Sequence, residues 1–126
     1  GLDDAVMIKD NHIAAAGGIQ QAIASIREQI PYPLTIEVET ETLAQVEEAL
    51  ANDADIIMLD NMPPEQMRQA VQRIRQHNPR IKIEASGNIT LETIRPIAET
   101  GVDYISTSAP ITRSSWLDLS MKLKQS

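Results

Sequence analysis

Four polar residues close four apolar, strand-like runs. They are Lys9 in Ile8-Lys9-Asp10-Asn11-His12, Glu39 in Ile36-Glu37-Val38-Glu39, Asp60 in Ile57-Met58-Leu59-Asp60-Asn61, and Ser86 in Ile83-Glu84-Ala85-Ser86-Gly87. They recur at intervals of roughly 20–30 residues, the rhythm of a β/α repeat. In such a repeat the C-terminal ends of parallel strands converge on one site. A lysine there can hold an anionic substrate. Carboxylates there can stabilise developing positive charge or bind a hard cation through oxygen.

Alternation along the strands sharpens this pattern. Glu37 and Glu39 share one face, as do Lys82, Glu84 and Ser86. The opposite faces, Ile36/Val38 and Ile83/Ala85, are apolar and suit packing against helices. Charges on an inward barrel face are costly unless they pair or meet a ligand or metal. A plain structural alternative is an interior network in which Lys9 and Lys82 neutralise Glu37, Glu39 and Glu84.

Ser86-Gly87-Asn88 follows a strand and precedes a helical segment, a place where backbone N–H groups can approach an anion. Ser106-Thr107-Ser108 occupies the same place one unit later, and two adjacent late loops often hold a phosphate in β/α barrels. Asp60-Asn61 and Glu39 offer oxygens for Mg²⁺, directly or through a substrate phosphate. His12 reads as a loop scaffold residue, and His77 as an inert residue near a helix end. Asn88-Ile89-Thr90 matches a glycosylation sequon, but nothing in the chain marks a route to secretion.

The elements that must position these residues follow from periodicity. Strands are expected at Val6–Ile8, Leu34–Glu39, Asp55–Asp60, Ile81–Ser86 and Asp103–Thr107. Between them Ile19, Ile23, Ile26 and Ile30 form one helical stripe, ended by Pro31 and Pro33. Val46, Ala49 and Leu50 form a second behind the capping box Thr42-Leu43-Ala44-Gln45. Met67, Val71 and Ile74 form a third after Pro63-Pro64. Leu91, Ile94 and Ile97 form a fourth capped by Thr90 and stopped by Gly101, and Ser115-Trp116-Leu117-Asp118 opens a fifth. The expected fold class is α/β: a partial (β/α) barrel of about five βα units with a parallel sheet.

Composition agrees. The 126 residues include no Phe and no Cys, so the core is aliphatic and neither thiol chemistry nor a disulfide is available. The net charge of −7 argues against nonspecific nucleic-acid binding. No apolar run reaches the roughly 18 residues of a membrane span, and the acidic start Gly1-Leu2-Asp3-Asp4 is unlike a signal peptide. A cytoplasmic setting is expected. A complete β/α barrel takes about 250 residues. The chain is about half that length and reads as cut out of something longer.

Taken in order, Gly1-Leu2-Asp3-Asp4…Ile8-Lys9-Asp10-Asn11-His12, Glu37-Val38-Glu39, Met58-Leu59-Asp60-Asn61, Glu84-Ala85-Ser86-Gly87 and Asp103-Tyr104-Ile105-Ser106 resemble the quinolinate phosphoribosyltransferase family, also called nicotinate-nucleotide pyrophosphorylase (carboxylating). The resemblance runs nearly end to end and implies that residues 1–126 are the C-terminal part of the barrel catalytic domain, with an N-terminal domain and the first barrel units absent. It implies transfer of phosphoribose from phosphoribosyl pyrophosphate to quinolinate with Mg²⁺, giving nicotinate mononucleotide, pyrophosphate and CO₂ in NAD biosynthesis. It implies Lys9 facing the quinolinate carboxylates, Glu39 and Asp60 on the ribose hydroxyls and Mg²⁺-pyrophosphate, and Ser86 and Gly87 on the 5′-phosphate, with Ser108 in the next phosphate loop.

The chain departs from the family in that loop. Ser106-Thr107-Ser108-Ala109-Pro110 stands where a glycine is usual, and the region of Thr112-Arg113 replaces a common histidine. The arginines that clamp quinolinate in the family, one from a partner subunit, lie outside this sequence, so the chain alone is expected to be inactive and its parent a dimer or larger homo-oligomer. Two other readings share the sequence features. One is a homologue of the molybdate-transport-associated type acting on another substrate. The other is a non-catalytic half-barrel that self-assembles through its edges.

Overall fold

A computed structural model describes residues 5–8, 18–30 and 33–107. The elements in chain order are β1 (Ala5–Ile8), α1 (Ile19–Gln29), β2 (Thr35–Thr40), α2 (Leu43–Ala51), β3 (Ile56–Asp60), α3 (Pro64–His77), β4 (Lys82–Ser86), α4 (Ile94–Ala98) and β5 (Tyr104–Ile105). All the pairings are parallel, and the strand order is β1-β2-β3-β4-β5. Sequential order in one direction is the winding of a β/α barrel. It matches the expected class of a parallel sheet built from βα units.

The core lies between one face of the sheet and the helices. Ile8, Ile36, Val38, Ile57, Leu59, Ile83 and Ala85 point into it from the strands, and Ile19, Ile23, Val46, Leu50, Met67, Val71 and Ile74 meet them from α1, α2 and α3. Every strand residue in this set is an alternate one, so period-2 alternation sorts the two faces. Ile36, Val38, Ile57, Leu59 and Ile83 are fully buried. The absence of Phe is met by branched aliphatic side chains, which suit a pleated surface covered by helices.

The local signals behave as their chemistry requires. Thr42 accepts from the Gln45 N–H at 3.1 Å while Gln45 Oε1 accepts from the Thr42 N–H at 3.3 Å, a reciprocal capping box. Pro63 and Pro64 open α3, where a missing N–H costs nothing. Most boundaries fall within one residue of expectation, and two elements shift further. The fourth helix begins at Ile94 rather than beside Thr90, because residues 91–93 form a turn in which the Thr90 carbonyl accepts from Thr93 and Ile94. The fifth strand shrinks to Tyr104–Ile105, flanked by bonds from Asp103 N–H to Ile83 O and from Ser106 N–H to Ala85 O. The expected helix after Ser115 lies outside the described residues.

The N-terminal end of the sheet carries a repeated clamp. Asp55 Oδ2 accepts from the Ile36 N–H at 2.8 Å, and the Asp55 N–H donates to Ile36 O at 2.9 Å. Asp103 does the same to Ile83, at 2.8 Å in both directions. Each aspartate locks the start of its own strand onto the preceding one. Arg75 of α3 adds a 2.8 Å ion pair to Asp103. These bonds tie down the N-terminal end of the sheet, the end that in β/α folds serves stability.

Candidate functional site

The C-terminal ends of β2 and β3 bring acidic groups together. One carboxylate oxygen each from Glu39, Glu41 and Asp60 lies within 4.8 Å of the others. Glu39 and Asp60 are expected from sequence. Glu41 is not, because the expected strand ends at Glu39, although alternation extended by one more step puts Glu41 on the face of Glu37 and Glu39. The capping box also holds this residue: Gln45 Oε1 accepts from the Glu41 N–H at 2.6 Å. A helix cap therefore positions a site carboxylate. Three carboxylate oxygens at this spacing fit a hard divalent cation such as Mg²⁺, which binds through oxygen and keeps several waters.

Asp60 pairs in register with Ser86, so the β4 end stands directly beside the carboxylates. Past Ser86 the chain turns through Gly87 at φ 130°, a conformation open to glycine. Asn61, itself at φ 54°, reaches across: its N–H donates to Ser86 O at 2.9 Å, and its Oδ1 accepts from the Asn88 N–H at 3.2 Å. A Cβ at Gly87 would overlap Asn61 Oδ1. The Asp-Asn pair thus does two jobs, Asp60 facing the site and Asn61 shaping the neighbouring loop. A cleft of about 220 Å³ opens here, lined by Asn61, Ser86, Asn88 and Thr93 over Met67 and Ile97.

The helix after Ser86-Gly87-Asn88 does not begin until Ile94 and has only five residues. The sequence expectation that a helix N-terminus follows this loop directly is therefore corrected. Any anion at Ser86-Gly87 meets loop groups and the Ser86 hydroxyl rather than a helix dipole.

Deeper on the same face, Glu37 and Glu84 meet across β3. Glu37 aligns with Ile56 and Glu84 with Met58, so the two side chains bridge the step between these apolar residues. Both glutamates are buried, at 2 % and 6 % exposure. Burial, followed by the hydrogen bond shared with Glu84 and the charges of Glu84 and Glu39, pushes the Glu37 carboxyl up to about 7. The Ser106 hydroxyl donates to Glu84 Oε2 at 2.7 Å. Ser106, read from sequence as part of a phosphate loop, is turned toward the acidic pair.

Lys82 does not neutralise these glutamates. It is exposed, and its charge acts on Asp103. Burial alone would raise the Asp103 carboxyl. The Arg75 and Ile83 hydrogen bonds, with the charges of Arg75 and Lys82, outweigh it and hold the group below the usual carboxylate range. The sequence-level network of Lys82 with Glu37, Glu39 and Glu84 thus does not form on the Lys82 side. Lys9, His12, Ser108 and Arg113 lie outside the described residues. His77 is exposed at the far end of α3, at the opposite end of the sheet from the acidic cluster.

A singly wound parallel sheet with carboxylates and a small-residue loop at its strand ends defines a β/α-type domain with an acidic rim. Comparison with known proteins places it more narrowly. Residues 1–122 match the model of the quinolinate phosphoribosyl transferase C-terminal domain, and the chain belongs to that family. It is 63 % identical over 123 residues to a probable nicotinate-nucleotide pyrophosphorylase [carboxylating] of Synechocystis, covering 98 % of this chain and 42 % of that protein. The relative from Bacillus subtilis, of the same description, is 46 % identical over 121 residues, covering 96 % of this chain and 41 % of its own length. Among solved structures, the nicotinate-nucleotide pyrophosphorylase of Ehrlichia chaffeensis superposes with a TM-score of 0.76 at 42 % identity, over 85 % of this chain and 38 % of that one. The chain thus spans about two-fifths of the length of the relatives it matches. Among the described residues no helix is long and apolar enough to cross a membrane.

Proposed function

We propose that this chain supplies the phosphoribosyl-binding part of an enzyme that transfers phosphoribose from phosphoribosyl pyrophosphate to quinolinate, releasing pyrophosphate and CO₂ and forming nicotinate mononucleotide for NAD biosynthesis. The observation that carries the reading is the convergence of Glu39, Glu41 and Asp60 beside the Ser86-Gly87 loop. Membership of the family supports it.

In this reading Glu39 and Asp60 would hold Mg²⁺, which would supply positive charge to offset that of the pyrophosphate leaving group. Glu39 and Asp60 also orient the ribose hydroxyls. Their negative charge stabilises the oxocarbenium character that develops at the anomeric carbon, and it is fixed in place before the reaction begins. Ser86 and Gly87 take the 5′-phosphate, with Asn61 holding the loop in shape, and Ser108 contributes from the next loop. Lys9 holds a quinolinate carboxylate. Catalysis here is positioning and charge, with no covalent nucleophile needed. The working enzyme is a cytoplasmic homo-oligomer, a dimer or larger, in which other parts of the protein complete the quinolinate pocket. This chain is the C-terminal portion of its barrel domain.

Calorimetric titration of the 126-residue chain with phosphoribosyl pyrophosphate, with and without Mg²⁺, tests the reading. Mg²⁺-dependent binding that is lost in Asp60→Asn and Glu39→Gln is expected. Binding unchanged by both substitutions refutes the site. Incubation with quinolinate, phosphoribosyl pyrophosphate and Mg²⁺ should give no nicotinate mononucleotide from the chain alone. Robust turnover would overturn the view that the quinolinate pocket is completed elsewhere.

A further inference from the structure

The carboxyl pair Glu37–Glu84 lies one inward-facing step below Glu39 and Ser86 and has no role in the phosphoribosyl chemistry above. Its geometry is unusual for a protein interior. Two acidic side chains, each more than nine-tenths buried, face each other over the apolar step Ile56–Met58. An Oε1 on each has no N–H or hydroxyl donor among the described residues. The Ser106 hydroxyl serves Glu84 Oε2, and the one hydrogen bond shared between the two carboxyls leaves both Oε1 atoms unserved. Buried acceptors without donors are costly, and buried acids survive when a cation meets them.

We propose that Glu37 and Glu84 form a receptor for one cationic side chain, a lysine ammonium or arginine guanidinium, presented by a polypeptide segment that lies against this face of the sheet and is not part of this chain. Three observations select that occupant. The described helices pack on the other face, so among the described elements nothing but the sheet itself supplies this one. The lining favours a nitrogen cation over a metal: the unserved atoms call for N–H donors, and Ile56 and Met58 give no polar wall for the waters that a hydrated divalent ion keeps. An ammonium or guanidinium brings several N–H donors and can serve both Oε1 atoms at once. Finally, the relatives carry more than twice this length of chain, and the net charge of −7 draws a basic segment while opposing a second copy of the same acidic face. Lys82, the described lysine nearest in register to Ile56, is exposed and faces Asp103 instead.

The test uses the 126-residue chain labelled with ¹³C at the glutamate carboxyl carbons. Glu37→Gln and Glu84→Gln identify the two resonances. The probe is n-butylammonium chloride, with tetramethylammonium chloride, which has no N–H, at equal ionic strength. A saturable shift of both resonances with butylammonium, at least fivefold larger than with tetramethylammonium and absent in Glu84→Gln, is the expected result. Equal, non-saturating responses to the two cations in the wild-type chain overturn the receptor, whether or not the variants fold. Displacement of the same resonances by Lys9→Met or Lys82→Met, with no amine added, overturns the external occupant by showing that the chain fills the receptor itself. Failure of the phosphoribosyl pyrophosphate titration would leave this result untouched, because no phosphate or ribose enters it.

Discussion

Asn61 Oδ1 accepts a hydrogen bond from the backbone N–H of Asn88 at 3.2 Å, tying the end of β3 to the loop that follows β4. The tie works because residue 87 is glycine: a side chain there would occupy the space of the Asn61 carboxamide. Gly87→Ala should therefore both strain a positive φ and expel Asn61, costing about 1–3 kcal/mol. Asn61→Ala leaves the Asn88 N–H unserved, at about 1–2 kcal/mol. The two changes damage one contact, so urea denaturation of the double variant should show less than the sum of the single losses. Strict additivity would mean that Asn61 does not shape the loop.

The twin clamps at the other end of the sheet predict an acid-sensitive stability. Asp103 is held below its ordinary range, so its contribution is present above the pKa of the unfolded chain and is lost as pH falls through the folded value. Asp103→Asn should cost about 1–3 kcal/mol at neutral pH, since it uncouples both Arg75 and the Ile83 N–H. The loss should narrow on acidification. Asp55→Asn, with a single backbone donor at stake, should cost about 1 kcal/mol. Thermal unfolding across pH 3–7 checks both.

Glu37 predicts the opposite slope. Its folded pKa of about 7 stands above the ordinary 4.5, so the folded state keeps a proton that the unfolded chain releases. Stability associated with this group is full below the unfolded value, falls as pH rises from there, and is gone once pH exceeds about 7. The difference amounts to about 3 kcal/mol. Glu37→Gln keeps an N–H donor toward Glu84 and cannot ionise, so it should flatten the profile and stabilise the chain at pH 8. A variant that unfolds more readily than the parent at pH 8 would contradict the burial argument.

Glu41 predicts a metal phenotype. Glu41→Gln should weaken Mg²⁺ binding about tenfold while leaving the fold intact, because the residue is exposed and its backbone is held by Gln45. Isothermal titration with MgCl₂, after chelator treatment, reads the change. Gln45→Ala should weaken Mg²⁺ binding as well and also destabilise α2, by about 1 kcal/mol for the lost capping box.

The sequence by itself determined the alternation of strands and helices, the two faces of each strand, the capping box at Thr42 and the placing of Glu39, Asp60 and Ser86 at strand ends. These features are local: period 2 and period 3.6 in apolar residues, and cap chemistry within four positions, are written into neighbouring residues. Boundaries set by weak signals moved, as at Thr90, where turn bonds and helix capping compete over the same three residues.

Tertiary structure decided what depends on contacts between residues some twenty or more positions apart. It brought Glu41 to Asp60 and Asn61 to Asn88, and it turned Ser106 toward Glu84. It also joined Glu37 to Glu84 across an intervening strand. Parallel pairing fixes which strand lies beside which and in what register. A one-residue slip would send Glu37 and Glu84 to the helix-packed side and undo the acidic face altogether.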